Sequence, residues 1–241
     1  MLHLNPRLKA LPAAALALTL LVTGTCGAAP APQPTWDHLV KVKAKQFDAV
    51  YLLPGADFRG YTKILIDPIQ VAFKKNWQRD INSASVDPSR RISNDEAARI
   101  AERTRSGTLK IYSEAFTAAG YEIVTEAGPD VLRVAPNVID LYITAPDPLV
   151  AGRSRSYSVD AGEATLALEV RDSTTGEILG RVVDRERAGG TGMRLSRATD
   201  VSNNADFDRL YRRWAELSVK ALAALKAKSP LPPAPASTTP G

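Results

Sequence analysis

The chain has 241 residues, 44% of them hydrophobic and 24% charged, with a formal net charge of +5. This is an ordinary globular composition, with room for one sizeable domain. One cysteine, Cys26, and two histidines, His3 and His38, exclude a disulfide framework, a thiolate metal site and a zinc site built on histidines.

Residues 1–28 read as a secretory signal peptide. Arg7 and Lys9 supply the positive flank, and "ALPAAALALTLLV" over residues 10–22 supplies a 13-residue apolar core. A bilayer span needs about 20 residues, so the segment is a leader and not an anchor. Removing it takes away two positive charges and leaves +3, because residues 1–28 hold no Asp or Glu. The remaining lysines and arginines are spread along the chain, so no nucleic-acid partner is expected. Two processing routes stay open. "VTGTC" resembles a lipobox, which would make Cys26 a lipid anchor, although Thr25 stands where Gly or Ala is usual. Cleavage after Ala28 would instead discard the cysteine and release a soluble periplasmic protein. "APAPQPT", residues 29–35, is a Pro-rich spacer, and residues 229–241 are expected to be a disordered Pro-rich tail. The domain runs from 36 to 228.

Within it, "FDAVYLLPG" holds a short apolar strand. "GYTKILIDPIQVAF" is a longer extended run in which Pro68 marks a bend or an edge. Residues 82–91, "NSASVDPSRR", are turn-forming and read as a loop. Ser93 and Glu96 have capping-box spacing and open a helix whose apolar positions include Ile100, Ile111 and Tyr112, and Gly120 ends it. "YEIVT" is a short strand. "DVLRVAPNVIDLYITAP" is a long extended stretch with a bulge or edge expected at Pro136, and with Ile139, Leu141 and Ile143 facing one way.

"RDSTTGEILGR", residues 171–181, crowds Asp172, Ser173, Thr174, Thr175 and Glu177 around Gly176. Ala164, Leu166, Leu168 and Val170 alternate with more polar neighbours before it, and a β-branched run follows it. The cluster is therefore the loop of a β-hairpin, with Asp172 bonding backbone amides ahead of it and Gly176 taking positive φ. A paired-carboxylate hydrolase built from Glu169, Asp172 and Glu177 is the catalytic counter-reading. "AGGTGMR", residues 188–194, lacks the Lys-Ser or Lys-Thr of a P-loop and reads as a mobile loop. A long amphipathic helix spans about Ala205 to Lys226, capped by Asn203 or Asn204. Trp77 and Trp214 read as core anchors in preference to sugar-stacking platforms.

Four stretches, "FDAVYLLPGADFRGYTKILIDPIQVAFKKNW", "AGYEIVTEAGPDVLRV", "AGEATLALEVRDSTTGEILGR" and "NNADFDRLYRRWA", together resemble a family of bacterial envelope lipoproteins, domain of unknown function 3313. The resemblance covers about Trp36 to Lys226. It implies a location in the Gram-negative envelope, in the periplasm or at the outer membrane, and it brings no catalytic residue.

The expected fold is a single α+β domain. A mainly antiparallel or mixed sheet of five to six strands packs against two amphipathic helices. No enzymatic activity and no cofactor are expected. The leading functional expectation is a periplasmic or lipid-anchored adaptor or assembly factor whose partner is another envelope protein, with membrane contact only through a lipid on Cys26. The alternative is a small-molecule or glycan-binding module. Its cleft would lie near the 145–163 and 187–203 loops, with Arg153 and Arg155 offered to an anionic group.

Overall fold

A computed structural model of the chain describes residues 37–88, 91–144, 156–158, 161–189, 196–198 and 200–233. Contacts divide the chain into Met1–Ala31 and Pro32–Gly241, and the elements all belong to the second unit. In chain order they are β1 (Val40–Val42), β2 (Ala49–Leu52), β3 (Lys63–Ile66), β4 (Val71–Phe73), α1 (Trp77–Ala84), α2 (Asn94–Ala118), β5 (Glu122–Ile123), β6 (Val131–Ile143), β7 (Ser156–Ser158), β8 (Gly162–Asp172), β9 (Ile178–Ala188), β10 (Ser196–Ala198) and α3 (Asp200–Lys228).

Eight strands make one mixed sheet in the order β1-β2-β9-β8-β6-β3-β5, with β4 paired to β6 as well; β7 and β10 form a separate pair. The half from β1 to β6 is antiparallel, whereas β3, β4 and β5 join in parallel. The α+β class agrees with expectation, but five to six strands and two helices were too few. The missing elements are short. A strand of two to four residues carries no readable alternation. Helix α1 follows Asn76, an N-cap with φ 66° and no side-chain cap bond, and its 8 residues are too few to show a clear helical period.

Pro136 is neither at an edge nor at a bulge. It lies inside the continuous β6, opposite Leu168 of β8. On the other side of β6, β3 ends opposite Val134 and β4 begins opposite Val138. The proline, which has no amide to donate, therefore falls in the gap between two partner strands. The bulge comes later, between Ile139 and Tyr142, where Asp140 has φ 50°. It puts Leu141 and Ile143 on the same buried face as Val134 and Val138, and leaves Ile139 outside that set.

Helices α2 and α3 pack together over one face of the sheet. Ser93 caps α2, accepting from the Glu96 amide at 3.2 Å. The helix ends in paired reverse bonds, Tyr121 N to Phe116 O and Gly120 N to Thr117 O. Gly120 has φ 89°, and Tyr121 meets Phe116 edge-on at 5.8 Å; this is the Schellman arrangement with its hydrophobic contact. Helix α3 begins at Asp200, so Asn203 and Asn204 lie inside it and not at its N-cap. Trp77 and Trp214 are 2% and 0% exposed, in agreement with core roles.

Residues 229–233 do not begin a free tail. Phe58 N donates to Ser229 Oγ at 2.9 Å, Leu231 N donates to Ala56 O, and Gly55 N donates to Pro232 O. These bonds fasten the end of α3 to the loop after β2.

Candidate ligand-binding cavity

The polar cluster at 172–177 is a turn. Asp172 Oδ1 accepts from the amides of Thr174 and Thr175 and from the Thr175 hydroxyl, and Oδ2 accepts from Tyr61 OH at 2.8 Å. Burial alone would raise the pKa of Asp172, but these donors outweigh it and hold the carboxyl below its ordinary range. Burial, followed by the Asp172 carboxylate, pushes the Tyr61 phenol well above its ordinary value. Glu169 accepts from Arg171 at 2.6 Å and from Arg181 at 2.8 Å. Thus Asp172 and Glu169 are each committed to structural partners. Among the described residues, no group of three or more His, Cys, Asp and Glu could hold a metal ion. Cys26, Ala28, Arg153 and Arg155 lie outside the described residues, as does most of the 188–194 loop.

The side of the sheet turned away from the helices is laced with ion pairs. Glu163 joins Lys74 and Arg185 at 2.9 and 2.6 Å, and Arg133 joins Asp67 at 2.8 Å. The side facing the helices is apolar and divides in two along α3. Around Trp214, midway along α3, packing is tight. Trp214 Nε1 donates to the buried Asp184 at 2.8 Å, Asp48 N donates to the same carboxylate at 3.1 Å, and Arg213 pairs with Glu186 at 3.0 Å. Toward its C-terminal half the layers part. The sequence there is "KALAALKAK", and its alanines leave space unfilled between helix and sheet.

That space is a cavity of about 460 Å³ between the end of α3 and strands β2, β9, β8 and β6. Val50, Leu52, Val170 and Val182 form its floor and are only half-buried. Leu166 and Leu168, on the same face of the sheet, are buried. Phe58, Phe116 and Leu231 close one end, and Ala221, Leu222 and Leu225 form the roof. The volume lies within the range of small-molecule sites, about 300–1,000 Å³. A close-packed interior does not leave such a space between two apolar layers.

The mouth is basic. Lys43 and Lys45, in the loop between β1 and β2, and Lys228, the last residue of α3, are exposed and line it. None of the three forms an ion pair with a described residue, and no Asp or Glu among the described residues lines the cavity. Arg181 also lies along the lining, but Asp37 and Glu169 already pair with it. Sequence reasoning missed this site. The only signals were the closely spaced lysines of "KVKAKQF" and the alanine run that ends α3. Neither identifies a cavity until the topology brings β2 beside β9.

A family model described as "Protein of unknown function (DUF3313)" matches residues 33–218. No curated protein matches the sequence. Among solved structures, the PelC dodecamer protein of Paraburkholderia phytofirmans is similar at 10% identity and a TM-score of 0.31, with 76% of this chain and 96% of that chain covered. A DUF330 protein of Xanthomonas campestris is similar at 12% identity and a TM-score of 0.37, with 73% and 90% covered.

Proposed function

The chain belongs to this DUF3313 family, and from that premise we propose that it is an exported, non-enzymatic envelope protein that binds a small, largely apolar molecule. The observation that carries the reading is the 460 Å³ cavity beneath the C-terminal half of α3. An engineered apolar void of about 150 Å³ already takes up benzene, so this one has room for a compact apolar molecule or one acyl chain. The export step rests on the leader at residues 1–28, and retention at a membrane would rest on Cys26.

Of the two expectations drawn from the sequence, the geometry favours the small-molecule module over the protein adaptor. The large apolar side chains exposed among the described residues are Val86, Leu109 and Val183. They lie after α1, on α2 and on β9 and form no shared patch, whereas docking faces for proteins are contiguous. The cavity opens at residues 43–46 and 228, whereas Arg153 and Arg155 lie outside the described residues.

Titration of the purified protein with the neutral fluorophore N-phenyl-1-naphthylamine tests the reading. Saturable enhancement at one site per chain is expected, and Ala221→Phe, which puts a ring into the cavity, is expected to abolish it while the far-UV circular dichroism stays unchanged. Enhancement that survives Ala221→Phe undiminished would mean that the probe sits elsewhere and that the cavity is not the site.

A further inference from the structure

We infer that the cavity takes an anionic single-chain amphiphile, with the acyl chain between α3 and the sheet and the head group among Lys43, Lys45 and Lys228. The inference rests on the small-molecule reading and adds the chemical class of the ligand. Three observations lead to it.

The first is the contrast between interior and mouth. The walls are aliphatic and aromatic, from Val50, Leu52 and Val182 on the sheet to Leu222 and Leu225 on α3. A wholly apolar ligand would need nothing more. Yet the exposed lysines at the opening come from two segments far apart in sequence, the 43–46 loop and the end of α3. Their ammonium groups meet no carboxylate of the described residues. Several other cations are matched, with Lys63 3.3 Å from Asp130, Lys74 paired to Glu163 and Arg185 sharing that glutamate, and unmatched ones such as Lys75 and Lys220 do not line the cavity. Three lysines without a carboxylate around one apolar opening complement a ligand that carries an anion at one end.

The second is the character of the cations. Lysine offers a compact charge on a flexible stem, with no fixed fork. Such a rim attracts an anionic head without imposing bidentate geometry. Arg181, which has such a fork, alternates onto the other face of β9, where Asp37 and Glu169 hold it. The recognition is therefore by sign of charge and by chain, with little discrimination between one oxyanion and another.

The third is how the opening is held. The C-terminal end of α3 is fixed on the same side as Lys228: Lys226 Nζ donates to Tyr61 O at 2.7 Å, Ser229 accepts from Phe58 N, and Leu231 N bonds Ala56 O. Phe58 and Leu231 line the cavity themselves. The wall beside Lys228 is thus fixed by these bonds, and a head group placed there needs only side-chain movement of the lysines.

The test uses purified protein freed of bound lipid and loaded with N-phenyl-1-naphthylamine. Hexadecanoate and hexadecanol, which share a chain and differ in head charge, are compared as competitors. On the native protein, hexadecanoate should displace the fluorophore at about tenfold lower concentration than hexadecanol, an advantage that shrinks as salt is raised. In the triple variant Lys43→Gln, Lys45→Gln, Lys228→Gln that advantage should fall to about twofold or less, with hexadecanol unchanged. These exposed substitutions leave the core alone, and thermal unfolding of the variant checks that the fold is intact. Equal competition by the two compounds on the native protein would overturn the head-group assignment and leave the cavity reading standing. Failure of both compounds, with the fluorophore still bound, would overturn the acyl-chain assignment as well. Failure of the fluorophore itself to bind would remove the small-molecule reading on which the inference rests.

Discussion

Asp184 shows how single side chains maintain the arrangement around the cavity. It is 4% exposed on the helix-facing side of β9, and it accepts from an indole on α3 and from an amide at the start of the β2 segment. Asp184→Ala would leave both donors unpaired in an apolar layer. A loss of about 2–4 kcal/mol is expected, measured by denaturant unfolding. Gly162 matters for a different reason. Its φ is 143°, and a Cβ there would lie 1.9 Å from the Tyr142 carbonyl oxygen. Gly162→Ala should therefore cost about 3 kcal/mol or more by the same measurement, against the modest change usual for an exposed glycine. Asp172 sets a pH dependence. Its folded-state carboxyl titrates below the ordinary value of 3.8, so the unfolded chain takes up the proton first. The stabilisation is fully present above that value and is lost as pH falls through the folded-state pKa. Acid unfolding followed between pH 5 and 2 should accordingly be less steep in Asp172→Asn, which is also less stable at neutral pH; an identical slope would contradict the assignment.

At the scale of elements, the structure follows the strongest local signals. The capping-box serine, the C-terminal glycine of α2 and the alternation of β8 all fall where the residue pattern puts them, because each is decided within a few residues. Ser93→Ala should lower the unfolding midpoint by an amount equivalent to about 1 kcal/mol, with the denaturant slope unchanged. Elements that depend on distant partners were not legible. The run 63–73 reads as one extended stretch and becomes two strands, because β6 offers two separate partners on either side of Pro136. The flip of Ile139 out of the core set arises from a bulge that nothing in "NVIDLYI" announces. Asn203 has the chemistry of a cap, yet α3 starts earlier and buries it.

For the whole molecule, one sheet carries an ion-paired face and an apolar face, and two long helices cover the apolar face incompletely. Where Trp214 fills the space, the layers close; along Ala221, Leu222 and Leu225 they leave a cavity open at a lysine-rich edge. The candidate site was not readable from the chain, since its walls come from β2, β6, β8, β9 and α3 and its residues are ordinary core types. The location of a bound chain tests the account most directly. Crystals grown with 16-bromohexadecanoate should show one anomalous bromine peak inside the cavity, between Val182 and Leu222, with the carboxylate among Lys43, Lys45 and Lys228. A bromine site outside the cavity, or an empty cavity under saturating ligand, would contradict it.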